Sequence, residues 1–94
     1  MSATMELYAE SLPRVSSGFR LQWEPAQDCH VLLYPEGMVK LNQSAGEILT
    51  RCSGEKTVAE IVTDLETAFN ASGLLEDVRA FLQMARQQKW VIWE

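Results

Sequence analysis

Few residues of this 94-residue chain have side chains suited to acid–base, nucleophilic or metal chemistry. The chain has one histidine, His30, and two cysteines, Cys29 and Cys52. A zinc site needs about four cysteine, histidine or carboxylate ligands, and these three residues lack the paired spacing of such sites. A lone histidine in an apolar run is more often packed or solvated than a general base. We therefore predict no catalytic residue, no metal and no other cofactor.

The remaining candidates for chemistry have simpler explanations. The two cysteines fall within apolar patterns and form no CxxC motif, so we interpret them as small buried hydrophobic residues of a reducing compartment. A disulfide between them is the less favoured alternative. Most acidic residues lie at predicted helix starts or on polar faces, where capping and solvation explain them. The chain also lacks a glycine-rich phosphate loop, and we predict that it is not an enzyme.

Composition and charge restrict the class of partner. The chain has 47% apolar and 22% charged residues, as an ordinary globular domain does. Eight Lys and Arg against thirteen Asp and Glu leave a net charge of -5, which repels the phosphate backbone of nucleic acids. The sequence has no signal-peptide pattern and no apolar run of about 18 residues. We predict a cytoplasmic protein that binds neither nucleic acid nor membrane.

Three short segments have the pattern of β-strands. Residues 19–24 alternate between apolar and polar side chains, and residues 29–34 are apolar enough for a central strand. Pro35 and Gly37 then favour a turn into a third strand at residues 38–41. These segments predict a three-stranded antiparallel sheet.

Three segments with a helical period follow the predicted strands. The motif from Ser44 to Glu47 resembles a capping box for the first helix, and the motif from Thr57 to Glu60 does so for the second. The third begins near Leu74 and has two acidic residues in its first turn, as the helix dipole favours. Three strands followed by three helices predict an α+β domain with a winged-helix-like architecture.

The two ends of the chain are harder to assign. Residues 1–11 show no sustained period, so we expect a mobile N-terminal arm before a single domain at residues 12–94. Residues 90–93 are apolar and β-prone, and they could form a fourth strand, extend the last helix or remain disordered.

A winged-helix regulator that binds DNA is the nearest alternative on fold grounds. The third predicted helix carries Arg79 and Arg86 at one edge of its apolar stripe, where they could bind phosphates or an acidic peptide. Solvation, with pairing of Arg79 to Glu76, is the simpler interpretation. The net negative charge of the chain disfavours the regulator.

An open sheet edge is the positive indication of function. Unpaired N–H and C=O groups of an edge strand can pair with an incoming extended peptide. The third predicted strand is short, and Lys40 is its one charged residue. The N-terminal arm or residues 90–93 could instead cover this edge, and the sequence leaves both possibilities open.

An ordered set of short segments carries a resemblance to a known family. The segments are Leu12-Pro13-Arg14, Gly18-Phe19-Arg20-Leu21-Gln22-Trp23, His30-Val31-Leu32-Leu33-Tyr34-Pro35-Glu36-Gly37, Lys40-Leu41-Asn42-Gln43-Ser44-Ala45, Ile48-Leu49, Cys52-Ser53-Gly54 and Thr57-Val58-Ala59-Glu60-Ile61. With this set the chain resembles the PqqD family of pyrroloquinoline quinone biosynthesis, the prototype of the peptide-recognition elements in ribosomal peptide modification. The resemblance extends from about Leu12 to Trp90.

The resemblance implies a peptide-binding chaperone. Members of the family bind PqqA, a short precursor peptide whose Glu and Tyr become the cofactor, and present it to PqqE, a radical S-adenosylmethionine enzyme. The peptide is added beside the third strand, in the cleft against the third helix. We expect a monomer, with a dimer formed by strand pairing or exchange as the alternative.

Carried onto this chain, the resemblance implies three groups of peptide-binding residues. Backbone pairing falls on Met38, Val39, Lys40 and Leu41. Apolar contacts fall on Val78, Phe81, Leu82 and Ala85, although core packing competes for the same stripe. Arg79 and Arg86 would suit an acidic peptide if their edge of the helix faces the cleft. We expect a proline at position 39 to weaken peptide binding.

Overall fold

A computed structural model describes residues 6–94 of the chain. It confirms the predicted α+β class, with a three-stranded antiparallel sheet and three helices, and it adds two short strands near the ends. In chain order, the elements are β1 (Arg14–Val15), β2 (Arg20–Glu24), β3 (Cys29–Tyr34), β4 (Gly37–Lys40), α1 (Gln43–Thr50), α2 (Val58–Ala68), α3 (Leu75–Gln87) and β5 (Val91–Ile92).

The main sheet has the order β2-β3-β4, with β3 in the centre. Each strand pairs antiparallel with its neighbour, and Leu32 of β3 lies between Leu21 of β2 and Val39 of β4. Asp28 adopts a positive φ of 55° in the turn between β2 and β3, a conformation that Asp tolerates better than most residues. β4 is an edge strand, and it ends one residue before the predicted boundary at Leu41.

The helix starts were predicted with mixed success. The capping box of α2 is confirmed, because the Glu60 N–H donates to Thr57 Oγ1 at 3.1 Å and the Thr57 N–H donates to Glu60 Oε1 at 2.8 Å. The predicted start of α1 at Ser44 is wrong. Asn42 caps this helix instead, because its short side chain reaches the backbone three residues ahead and accepts from the Ala45 N–H at 2.8 Å.

The hydrophobic core lies between one face of the sheet and the three helices. Leu32 of β3, Ile61 of α2 and Leu82 of α3 have no solvent-exposed surface. Fully burying a side chain of this kind stabilises the fold by about 1.5–3 kcal/mol. The packed helices therefore hold the sheet by one face, while the strand edges remain at the surface.

The C-terminal tail forms a strand that pairs away from the main sheet. β5 pairs antiparallel with β1, with Val91 opposite Val15 and Ile92 opposite Arg14. Trp93, which follows, is only 2% exposed. The tail therefore does not cover β4, so one of the two alternatives for that edge is excluded.

The predicted N-terminal arm is described only in part, since residues 1–5 lie outside the described residues. Leu7 is 2% exposed and belongs to the core. The backbone of this segment accepts hydrogen bonds from α2, with Ala59 donating to the Ala9 carbonyl at 3.1 Å and Val58 to the Ser11 carbonyl at 3.0 Å. Mobility of the arm stays a prediction, and the contacts of residues 6–11 weigh against it.

None of the helices within residues 6–94 is both long enough and apolar enough to cross a membrane.

Candidate functional site

The outer edge of β4 presents unpaired backbone groups. The Leu41 N–H donates to the His30 carbonyl at 3.0 Å, and Val39 lies opposite Leu32. Because hydrogen-bonding direction alternates along an antiparallel strand, Val39 and Leu41 direct their backbone groups toward β3. Met38 and Lys40 then direct one N–H and one C=O each away from the sheet. Within residues 6–94, no segment pairs with this edge.

This geometry changes the roles predicted for β4. Met38 and Lys40 have the outward backbone groups that were expected of all four residues. Val39 and Leu41 do not, because their N–H and C=O groups serve the sheet itself. Their side chains face inward instead, where Val39 packs on the core and Leu41 is 5% exposed. The sequence pattern identified the strand, but it did not indicate which alternate residues direct their backbone N–H and C=O groups away from the sheet.

A cavity of about 320 Å³ opens beside the end of β4, between α1 and α3. We call it the β4–α3 cleft. Its walls come from the end of β4, the start of α1, one face of α3 and the turn before β5. The lining residues are Lys40, Leu41, Asn42, Ser44, Ala45, Ile48, Asp77, Phe81, Met84 and Trp90.

The cleft brings together three of the residues predicted to bind peptide. Lys40 and Leu41 approach from the sheet, and Phe81 approaches from α3. The Phe81 ring lies 6.5 Å from the Trp90 ring, measured between centroids, at an interplanar angle of 48°. Two aromatic rings thus form one wall of the cleft, next to the open strand edge.

The other apolar residues predicted on α3 belong to the core. Val78 is 2% exposed, and Leu82 and Ala85 are not exposed at all. A helix turns about 100° per residue, so this stripe cannot face both the core and the cleft. The prediction that Val78, Leu82 and Ala85 line the cleft therefore fails on geometry, since their side chains are already packed.

A second face of α3 lines the cleft, and sequence reasoning missed most of it. Asp77, Phe81 and Met84 lie at positions i, i+4 and i+7, which places them on one side of the helix. Met84 is 38% exposed. The available signal was the position of two large apolar residues, Phe81 and Met84, next to the core stripe. Trp90 was also missed, because it follows the helix.

The two arginines of α3 hold the chain ends rather than facing the cleft. Arg79 Nη1 donates to the Leu7 carbonyl at 2.6 Å. Arg86 Nη1 donates to the Trp93 carbonyl at 3.1 Å, and its guanidinium lies 4.7 Å from the centroid of the Trp93 ring. Neither residue lines the cleft. The predicted contact of Arg79 and Arg86 with an acidic peptide stays a prediction, and their position outside the cleft weighs against it.

Cys52 is buried in the core as predicted, whereas Cys29 is only partly buried, and His30 packs against its neighbours. The His30 ring meets Trp23 edge-on at 5.1 Å, and a Cβ at Gly46 would lie 2.9 Å from His30 Nδ1. Burial raises the pKa of the Cys52 thiol to about 12, so it stays protonated at neutral pH. Cys29 and Cys52 are both free thiols. Within residues 6–94, no group of three or more His, Cys, Asp or Glu is placed to hold a metal ion.

A second cavity of about 290 Å³ lies where α1, α2 and the start of α3 meet. We call it the three-helix pocket. Its lining residues are Gln43, Ser44, Glu47, Ile48, Leu65, Phe69, Ala71, Leu74, Asp77 and Val78. Ser44, Ile48 and Asp77 line both the three-helix pocket and the cleft, so the two cavities are neighbours.

Comparisons with known proteins show which family the chain belongs to. Residues 29–91 match the family described as Coenzyme PQQ synthesis protein D (PqqD). The chain is 51% identical over 87 residues to the "PqqA binding protein" of Stutzerimonas stutzeri (strain A1501), covering 92% of this chain and 95% of that one. It is 57% identical over 83 residues to the protein of the same name from Pseudomonas aeruginosa (strain UCBPP-PA14), covering 87% and 90%.

A solved structure shows a similar fold. The solution NMR structure of the PqqD truncation of Methylobacterium extorquens PqqCD superposes with a TM-score of 0.76 and 26% sequence identity. The superposition covers 93% of this chain and 95% of that one. That domain is described as a functional, stand-alone recognition element for ribosomally synthesized and post-translationally modified peptides.

Proposed function

The chain belongs to the PqqD family, and from this premise we propose that it is a peptide-binding chaperone for PqqA, the peptide its relatives are named for binding. The observation that carries the proposal is the outer edge of β4 beside the cleft. Met38 and Lys40 direct backbone groups outward there, and Phe81 and Met84 of α3 face the same opening. An extended peptide can pair with the edge while its side chains enter the cleft.

The magnitudes fit a carrier that must release its cargo. Four outward backbone groups give about four hydrogen bonds at ~1 kcal/mol net each. Two or three buried peptide side chains add about 1.5–3 kcal/mol each, so the gross gain is roughly 7–13 kcal/mol. Ordering the peptide costs about 2–5 kcal/mol and losing its free motion costs more, so we expect binding no tighter than the micromolar range, about -8 kcal/mol.

We further propose that the bound peptide is presented to PqqE and that the chain catalyses no reaction itself. A peptide added at β4 stays at the surface, which supports access by a second protein. The two free thiols support a reducing, cytoplasmic setting. A monomer is the form that suits this role, because a dimer formed through β4 would occupy the peptide's edge.

The test is calorimetric titration of the purified protein with synthetic PqqA and with a scrambled peptide of equal charge. We expect saturable one-to-one binding of PqqA alone, and tighter association with PqqE when both are present. Equal or absent binding of the two peptides would overturn the proposed function.

A further inference from the structure

The three-helix pocket is an apolar cavity that the strand-pairing site does not use. Its wall includes Ile48 of α1, Leu65 of α2 and Leu74, which precedes α3. Phe69 is the C-cap residue of α2 and lines the pocket. It is 46% exposed, so a large aromatic residue is partly accessible to solvent at the rim of the pocket. A volume of about 290 Å³ is enough for one large apolar side chain of a ligand.

The pocket continues the β4–α3 cleft. Ser44, Ile48 and Asp77 line both cavities, so a chain that leaves the cleft past these residues enters the pocket directly. The shared residues lie near the end of β4 that is formed by Lys40. A peptide paired antiparallel with β4 has its N-terminal side at this end, because paired antiparallel strands run in opposite directions.

The rim of the pocket is acidic. Glu47 Oε1 accepts from Arg51 Nη1 at 2.9 Å, so its charge is partly neutralised. Asp77 forms no salt bridge with another residue of the described part, 6–94. A ligand that brings a cation beside Asp77 would be favoured over one that brings a carboxylate.

We propose that the three-helix pocket binds a large apolar side chain of the same precursor peptide, on the N-terminal side of the segment paired with β4, with a cationic group of the peptide beside Asp77. This inference rests on the proposed function and deepens it. It gives the peptide two anchors, the strand edge and the pocket, which lie on either side of Ser44 and Ile48.

The first test is a double-mutant cycle between protein and peptide. The protein variant is Phe69→Ser, and the matched control is Leu75→Ser, since Leu75 is 44% exposed and lies outside the pocket. The probes are synthetic PqqA and versions in which each large apolar residue N-terminal to the paired segment is replaced by alanine. We expect Phe69→Ser and one such alanine peptide each to weaken binding roughly tenfold, and their combination to lose little more.

The second test concerns the charge at the rim. Asp77→Asn should weaken PqqA binding about threefold at low salt and hardly at all at high salt, because exposed ion pairs are screened. Glu76→Gln is the control, since Glu76 is also in the first turn of α3 but does not line the pocket.

The outcomes separate this inference from the function it rests on. If Met38→Pro weakens PqqA binding while Phe69→Ser behaves like Leu75→Ser, strand pairing stands and the pocket proposal is overturned. If Phe69→Ser weakens binding of PqqE but not of PqqA, the pocket belongs to the enzyme and the proposal is also overturned. If the unaltered protein does not bind PqqA, both proposals fall.

Discussion

Phe81 and Leu82 are consecutive residues of α3, yet Phe81 lines the β4–α3 cleft while Leu82 is completely buried in the core. The helix rotates by about 100° from one to the next, which is enough to move a side chain from one environment to the other. One helix therefore packs one face on the core and lines the proposed peptide site with another. Substitutions on the two faces should separate peptide affinity from protein stability.

Met84→Ala tests the binding face of α3. Met84 is 38% exposed and lines the cleft, so its loss should weaken PqqA binding roughly fivefold to tenfold with little change in the free energy of unfolding. Leu82→Ala, the contrasting variant, should lower the free energy of unfolding by about 2–5 kcal/mol. Calorimetric titration and chemical denaturation measure the two effects. Unchanged affinity in folded Met84→Ala would remove Met84 from the peptide site.

Met38→Pro tests the outward edge of β4. Proline removes an N–H that points away from the sheet, so PqqA binding should weaken by about tenfold while the hairpin survives. Met38→Ala is the control, because it shortens the side chain but keeps the N–H.

Val39→Pro should behave differently from Met38→Pro. The Val39 N–H faces Leu32 of β3, so proline there should cost about 1–3 kcal/mol of folding free energy. A loss of PqqA binding in Val39→Pro could therefore result from unfolding and would not by itself show that the peptide pairs with this edge. Equal thermal stability of the Met38→Pro and Val39→Pro variants would show that the strand register is different.

The sequence predicted those parts of the fold that follow from a repeating pattern. Alternation identified β2, a short apolar run identified β3, and the 3.6-residue period with the Thr57–Glu60 capping box identified α2. The open edge of β4 followed from counting strands. These features depend on local residue order, so they can be read without knowing what packs against them.

The remaining features depend on contacts between distant parts of the chain. The pairing of β1 with β5 joins residues near both ends, and each strand has only two residues, too few to show a period. The contact of Arg79 with the Leu7 carbonyl spans 72 positions of sequence. Such long-range partners determine where the α3 side chains lie, and no local pattern indicates them.

Arg86 is predicted to stabilise the fold rather than to bind peptide. Arg86→Met keeps the apolar part of the side chain but loses the hydrogen bond to the Trp93 carbonyl and the charge over the Trp93 ring. We expect the free energy of unfolding to fall by about 1–2 kcal/mol, with PqqA affinity unchanged. Gln83→Met, an exposed position of the same helix, is the control. A lower affinity for PqqA with an unchanged free energy of unfolding would indicate instead that Arg86 contacts the peptide.

Cys52 should make stability fall at alkaline pH. Burial raises its pKa from 9.0 to about 12, so the folded state holds the thiol proton more tightly than the unfolded state does. This contribution is fully present below about pH 9 and is lost progressively as pH rises toward about 12. In Cys52→Ala the decline in unfolding free energy over this range should be shallower. If the unfolding free energy of the unaltered protein and of Cys52→Ala falls equally with pH, the burial of the Cys52 thiol is contradicted.

The most direct test of peptide pairing at β4 is amide hydrogen exchange, measured residue by residue with and without saturating PqqA. The outward N–H groups of Met38 and Lys40 should exchange fast in the free protein and become protected when PqqA binds, because they gain hydrogen bonds. The Val39 N–H, which already faces β3, should be protected in both states. Binding of PqqA that leaves Met38 and Lys40 unprotected would contradict strand addition at this edge.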